Sequence, residues 1–280
     1  MSAPDGLPPL RDVIRASGLT ARKSLGQNFL LDFNLTRRIA RAAGPLEGTT
    51  IVEVGPGPGG LTRALLLEGA SRVIAIEKDD RCLPALRDVV EVYPGKLEIL
   101  AADAREVDYS ALNVQPPARI VANLPYGFAT SLLVGWLKTA PWPPWFDRLV
   151  LMFQREVALR IVAKPGARDY GRLAVLSQWH TSTRILLTLP AEAFTPRPKV
   201  DSSLVELVPK ESPQPECAVS MLERVTAAAF GQRRKMLRSS LRQIAPDTEV
   251  LLQKLGIDPK ARAEELEIAD FCGIANALTR

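Results

Sequence analysis

The stretch that decides the fold is IVEVGPGPGG, residues 51–60. Ile51–Val54 is a short β-rich run carrying a single carboxylate, Glu53, and it passes through four closely spaced glycines into the helix-length stretch Leu61–Leu67. A strand that turns tightly into a helix leaves unpaired N–H groups at the helix start and lets the backbone approach a ligand closely. Taken alone, such a turn suits a dinucleotide, S-adenosylmethionine or no ligand at all.

Outward from this turn the same rhythm repeats. Strand-like runs at Arg72–Ile76, Leu97–Ala101, Arg119–Ala122 and Leu149–Phe153 alternate with amphipathic stretches at Leu83–Val92 and Ser131–Lys138. Strands separated by helices at this spacing predict β-α-β units on a parallel sheet. Two helices are expected at Arg155–Val162 and Arg172–Trp179. Strands Arg184–Leu189 and Ser203–Val208, joined through FTPRPKV, predict an antiparallel hairpin at the sheet edge. Upstream, a short helix (Leu10–Ala16) precedes the basic loop RKSLGQNFL. PKESPQPE (Pro209–Glu216) reads as a linker, and beyond it every periodic segment is helical: Val219–Phe230, Lys235–Ile244, Thr248–Leu255 and Ala263–Leu278. The expected division is therefore 1–209, an α/β domain with an N-terminal extension, and 210–280, a small helical domain.

With 280 residues the chain is long enough for one large core and one small. It has no apolar run of about 18 residues, so no membrane span is expected. The N-terminal stretch carries Asp5 and Asp12 and lacks the apolar region of a secretory signal. Cys82, Cys217 and Cys272 lie far apart without C-x-x-C spacing, which points away from a disulfide framework or a zinc site and fits a reducing cytoplasm. With His180 the only histidine, histidine metal clusters and Ser-His-Asp chemistry have little to draw on, and no metal is expected. The net charge of +5 matters less than its distribution. No acidic residue occurs from Arg224 to Ala245, a segment that contains Arg233, Arg234, Lys235, Arg238 and Arg242. A single-signed helix there predicts a clamp for RNA phosphates rather than an ordinary solvated face.

The acids sharpen the reading of the glycine turn. Glu77 ends the second strand and Asp103 the third, so both should reach the sheet edge that holds Gly55. Glu77 is placed to accept from two ribose hydroxyls and Asp103 from an adenine amine. A carboxylate at Glu53 would repel a pyrophosphate but suits a cofactor with an ammonium and a sulfonium. At the end of the fourth strand stands NLPY, Asn123–Tyr126. An adenine amine is a poor nucleophile, because its lone pair is delocalised into the ring. The Asn123 oxygen and the Leu124 carbonyl could accept its hydrogens as positive charge builds, and Tyr126 offers a ring on which a base can stack.

GQNFL (26–30), EVGPGPGG (53–60), IEKD (76–79), AADA (101–104), NLPY (123–126) and FTPRPKVDS (194–202) together resemble the motifs of the ribosomal RNA adenine dimethyltransferases, the KsgA/RsmA type above all. The resemblance runs from about Arg22 to Val208, with one departure at Gly127, where the family usually has Asn. It implies a class I, Rossmann-like methyltransferase fold. It also implies S-adenosylmethionine held by Asn28, Leu30, Gly55, Glu77, Asp103 and Asn123. A flipped adenine would be sandwiched between Tyr126 and Phe194, since a stacked base cannot present its amine to a pocket. The implied partner is small-subunit ribosomal RNA in an assembling subunit, met by a monomeric enzyme that dimethylates two adjacent adenosines. Two rivals share these motifs: an Erm-type methyltransferase of large-subunit RNA, and a noncatalytic ribosome-assembly factor with a vestigial pocket. The Leu of NLPY and the form of GQNFL favour the first reading over Erm. The intact set of Asn123, Tyr126 and Phe194 argues against a vestige.

Overall fold

The computed structural model describes residues 4–21 and 26–279; the RKSL part of the expected basic loop lies outside the described residues. In chain order the strands are β1 (Phe29–Leu30), β2 (Thr50–Val54), β3 (Arg72–Glu77), β4 (Leu97–Ala101), β5 (Ala118–Ala122), β6 (Arg148–Gln154), β7 (Thr181–Leu189), β8 (Phe194–Thr195) and β9 (Ser202–Pro209). The helices are α1 (Leu10–Ala16), α2 (Phe33–Ala42), α3 (Gly60–Leu67), α4 (Leu83–Val92), α5 (Ala129–Leu137), α6 (Arg155–Val162), α7 (Arg172–His180), α8 (Val219–Gly231), α9 (Leu237–Ser240), α10 (Thr248–Lys254) and α11 (Ile268–Thr279).

The chain divides into two compact units. The first comprises Met1–Leu133, Pro144–Ala158 and Arg184–Val208; the second comprises Val134–Pro143, Leu159–Thr183 and Pro209–Arg280. The second unit thus includes two earlier pieces that the single division after residue 209 left with the α/β part. Packing accounts for them: the Trp142 indole N–H donates to the Lys210 carbonyl at 2.8 Å, Tyr170, Val175 and Trp179 share one core with Leu222, Val225 and Phe271, and the Gly166 N–H donates to the Glu264 carbonyl at 2.7 Å.

In the first unit the sheet order is β4-β3-β2-β5-β6-β9-β7. Strands β2 to β6 are parallel, which suits strands as apolar as β5, buried along its whole length. The chain steps outward from β2 through β3 to β4, then returns to place β5 on the other side of β2. That reversal opens a crevice at the carboxyl ends of β2 and β5, the usual ligand position in open α/β sheets. Strand β9 runs antiparallel to β6, with Phe153 opposite Ser203. Thr188 and Arg184 of β7 bond to Ser203 and Glu206 of β9, the reversed order of an antiparallel edge. The FTPRPKV connection does more than join this hairpin: its first two residues form β8, which pairs with β1.

In the second unit the expected basic helix Lys235–Ile244 is interrupted. Only Leu237–Ser240 is helical, after an extended Met236 (φ −66°, ψ 152°). The Leu237 and Arg238 N–H groups donate across to the carbonyls of Ala261 and Pro259, at 2.9 and 3.1 Å, instead of up a preceding turn. Likewise the expected helix Ala263–Leu278 opens as a single 3-10 turn, Ala263–Glu265, ended by an extended Leu266. Helix α11 starts afresh at Ile268, where the Asp270 carboxylate accepts the Glu267 N–H at 2.9 Å. His180 is buried between the rings of Trp142 and Trp179, and desolvation pushes its pKa down to about 4, so it is neutral packing. Cys82 and Cys272 are buried, and Cys217 is half-buried.

Candidate active site

A cavity of about 260 Å³ opens at the crevice, lined by residues from the β1 segment, the glycine turn, the β3 and β4 ends and the NLPY loop. The turn is built for close approach. Gly55 and Gly57 have φ of 69° and 57°, and a Cβ on Gly57 would stand 3.2 Å from the Phe29 ring. Its bare N–H donates to Glu77 Oε2 at 2.9 Å, while Oε1 accepts from the Asp79 N–H at 2.7 Å. A carboxylate has about four lone-pair positions, so each Glu77 oxygen keeps one for a ligand. That suits the two adjacent hydroxyls of a ribose. Burial raises the Glu77 pKa, opposed by these backbone bonds.

Asp103 lines the cavity as expected, but its acceptors are already engaged. Arg105 reaches it through Nε (3.0 Å), Nη2 (2.6 Å) and its backbone N–H (3.0 Å), and Lys78 Nζ lies at 2.7 Å. The Arg105 and Lys78 bonds hold its pKa well below the usual carboxylate range. An adenine amine would have to displace one of these cations, both of which reach into solvent and can be rehydrated.

Glu53 is buried at the back of the cavity, where it accepts a 2.6 Å bond from the Thr62 hydroxyl. Burial pushes its pKa up to about 8, and Thr62 only partly opposes this. The carboxylate expected from sequence is therefore a neutral acid at pH 7 until a positive ligand group arrives.

On the β5 side, the Asn123 amide nitrogen donates to the Asn28 carbonyl at 3.1 Å. This bond sets the amide orientation and leaves Oδ1 as the side-chain acceptor, with no donor among the described residues. Asn28 is braced in turn, its own amide donating to the Gly26 carbonyl at 3.1 Å. The Tyr126 hydroxyl bonds Ser202 Oγ at 2.6 Å, and burial raises its pKa, so the ring is held neutral and in place. Leu30, Gly55, Leu124 and Tyr126 all line the cavity.

Phe194 is the exception. Its side chain is 2 % exposed and sits in the core with Leu30, Leu189 and Leu204, outside the cavity lining. The β1–β8 pairing causes this, since Leu30 faces Phe194 in register and carries it inward. In this structure the expected stacking partner is therefore packed in the core beside β1 and does not face the cavity. Besides Tyr126, the aromatics lining the cavity are Phe29 and Phe128, the latter with the Arg105 guanidinium 5.5 Å from its ring centre. The position of Phe128 two residues after Tyr126 was the available signal. Asp79 was also missed: it accepts from Gln27 at 2.8 Å and from Arg81 at 2.9 and 2.6 Å, tying the GQNFL segment to the end of β3. The Arg81 bond is the main cause of its pKa being lowered to about 2. Gly127 is exposed, with open space where a Cβ would project, so no steric reason for glycine is visible there.

The cations expected to clamp RNA belong to the second unit and differ among themselves. Arg233 is engaged by Glu264 (2.7 Å) and the Arg168 carbonyl (2.6 Å), and Arg238 pairs with Glu249 (3.0 Å). Arg234 and Lys235 are exposed and have no partner among the described residues.

Comparison with known proteins gives the family of the chain. The model of the family described as "Ribosomal RNA adenine dimethylase" matches residues 18–280. A protein of Xanthobacter autotrophicus named ribosomal RNA small subunit methyltransferase A is 62% identical over 280 residues, covering 100% of this chain and 97% of its own. One of the same name from Cereibacter sphaeroides is 60% identical over 275 residues, covering 98% of each. Among solved structures, a dimethyladenosine transferase from Plasmodium falciparum shares the fold, with a TM-score of 0.74 at 24% identity over 86% of this chain and 94% of that one. The 23S rRNA methyltransferase ErmE matches with a TM-score of 0.64 at 27% identity, covering 90% of this chain and 100% of its own. By the extent of the family match and the identity of these relatives, the chain belongs to the ribosomal RNA adenine dimethylase family.

Proposed function

We propose that this protein transfers methyl groups from S-adenosylmethionine to the N6 amines of two adjacent adenosines in small-subunit ribosomal RNA, acting as a cytoplasmic monomer on the assembling subunit. The observation that carries the chemistry is the Asn123 amide. One N–H of its nitrogen is tied to the Asn28 carbonyl, which fixes the amide plane and leaves Oδ1 as its acceptor for the hydrogens of an amine. The donor set also fits the cofactor. Glu77 has two acceptor positions for a ribose, Glu53 is a buried acid that a cation would ionise, and apolar Leu30 and Leu61 line the wall. When bound, S-adenosylmethionine supplies an electrophilic methyl on sulfonium.

The chain's own residues then have separable tasks. Glu77 and the glycine turn orient the ligand, and Tyr126 with Phe128 presents faces for an extruded base. Asn123 Oδ1 and the Leu124 carbonyl accept the amine hydrogens, which stabilises the positive charge that grows as nitrogen is alkylated. No side chain needs to titrate for this step, because the released proton can pass to solvent. Arg234 and Lys235 are the cations best placed to meet phosphates.

The test is to incubate the protein with labelled S-adenosylmethionine and under-methylated small-subunit particles, then map the labelled nucleotides. Label as dimethyladenosine at two neighbouring positions of small-subunit RNA is expected. Label in large-subunit RNA would favour the Erm-type reading, and no label at all would point to a noncatalytic factor.

A further inference from the structure

The family match begins at residue 18, yet the segment before it reaches the cofactor cavity. Arg63, in α3 just after the glycine turn, is buried with 2 % of its side chain exposed, and its partner Asp5 shows 0 %. The two form a forked pair, Nε to Oδ2 and Nη2 to Oδ1, both at 2.7 Å. The remaining nitrogen, Nη1, donates to the Pro8 carbonyl at 2.8 Å. A buried ion pair adds little net stability, since desolvation offsets the attraction. Its strict geometry does fix where the chain lies. Here it seats residues 4–9 on α3 and delivers Leu10 to the cavity wall, beside Leu30, Thr36 and Gly60. The fit at Gly60 is close: a Cβ there would stand 2.7 Å from Leu10 Cδ2. A second cavity of about 240 Å³ lies along the same segment, lined by Pro4, Pro9, Leu31 and Phe33. The segment is therefore pinned at one strong point and incompletely packed elsewhere, the character of a piece that can open locally.

We propose that residues 4–16 are a wall of the cofactor site, that Leu10 packs against the bound S-adenosylmethionine, and that the Asp5–Arg63 pair is the anchor that seats it. The inference rests on the cofactor reading above. Because the segment closes a site that the ligand fills, docking and binding are linked and must strengthen each other by the same factor.

The experiment uses the full chain and S-adenosylhomocysteine as probe, with Leu10→Ala and Asp5→Ala variants. Calorimetry should show Kd raised about fivefold by each variant, and the double variant no weaker than the worse single one, because both act through one seated segment. Trypsin cleavage after the exposed Arg11 and Arg15 should slow when the probe saturates the wild type, and the protection should fall in the variants. In turnover, KM for the cofactor should rise while kcat at saturation stays. A purely structural role would lower the melting temperature without a ligand-dependent change in cleavage. If Asp5→Ala does not fold, Leu10→Ala alone decides. Binding with unchanged Kd and probe-independent cleavage overturns the inference and leaves the cofactor reading standing. A wild type that fails to bind the probe overturns both.

Discussion

Binding of the cofactor should release a proton from Glu53. The side chain is fully enclosed and its pKa stands at about 8 against an ordinary 4.5. At pH 7, one unit below that value, about nine-tenths of the unliganded molecules hold the proton. A ligand bringing an ammonium and a sulfonium into the same cavity favours the carboxylate, so about 0.9 proton should leave per ligand bound at pH 7. Affinity should rise nearly tenfold per pH unit from about pH 6 to 7.5 and level off above pH 8. The same shift acts on folding. The folded, unliganded protein holds a proton that the unfolded chain gives up above its pKa of 4.5, so stability falls as pH rises from 4.5 to 8. The shift is about 3.5 units, which at 1.36 kcal/mol each is a loss on the order of 5 kcal/mol. Glu53→Gln keeps the shape and the partner for Thr62 but has no proton to lose. Calorimetry in buffers of different ionisation enthalpy measures the proton count, and melts from pH 5 to 8.5 measure the stability slope. The variant should show no proton release from this site and a flatter stability profile. If the wild type binds without buffer dependence, or Glu53→Gln releases the same proton, the reasoning from burial is wrong.

Three further outcomes are expected. Asn123→Ala should slow single-turnover methyl transfer at saturating RNA and cofactor by about 10²–10³, comparable to losing one preorganised oxyanion-hole donor, with RNA affinity nearly unchanged; near-normal dimethyladenosine formation would remove NLPY from the chemistry. Replacing Arg234 and Lys235 together by Ala should flatten the log–log salt dependence of RNA binding by about 1.4, at roughly 0.7 per phosphate contact on single strands, whereas Arg233→Ala should change it less because Glu264 already holds that guanidinium. Arg105→Ala frees acceptors on Asp103 and should tighten cofactor binding by up to about fivefold, the range of an exposed ion pair; weaker binding in calorimetry would mean that Arg105 itself contacts the ligand.

The parallel strands of the first unit and its helices from α3 to α6 were legible because their signals are local; α2 (Phe33–Ala42) was not among the expected elements. Apolar runs of strand length, glycines where the backbone must turn, and acids at the strand ends each speak through neighbouring residues. Since the strands are parallel, every strand end falls on one edge, so Glu77, Asp103 and Asn123 could be placed together without knowing a single contact. Repetition of one unit carried that information.

What only the tertiary structure decided depends on partners far apart in the chain. The β1–β8 pairing joins Leu30 to Phe194 and turns an expected stacking face into core, and no local pattern marks two-residue strands. Asp5 with Arg63, and Gln27 with Asp79, are ion and hydrogen-bond partners across more than fifty residues. The basic segment after Gly231 has ordinary helix-forming residues, yet its N–H groups satisfy the carbonyls of Ala261 and Pro259, because those backbone bonds come with burial of Leu237 in the second core. Sequence alone thus determined the order of the main-sheet elements and the edge at which chemistry sits, both of which follow from periodicity. Which of the named side chains face the cavity, and in what charge state, was settled by desolvation and long-range pairing, which only the folded chain possesses.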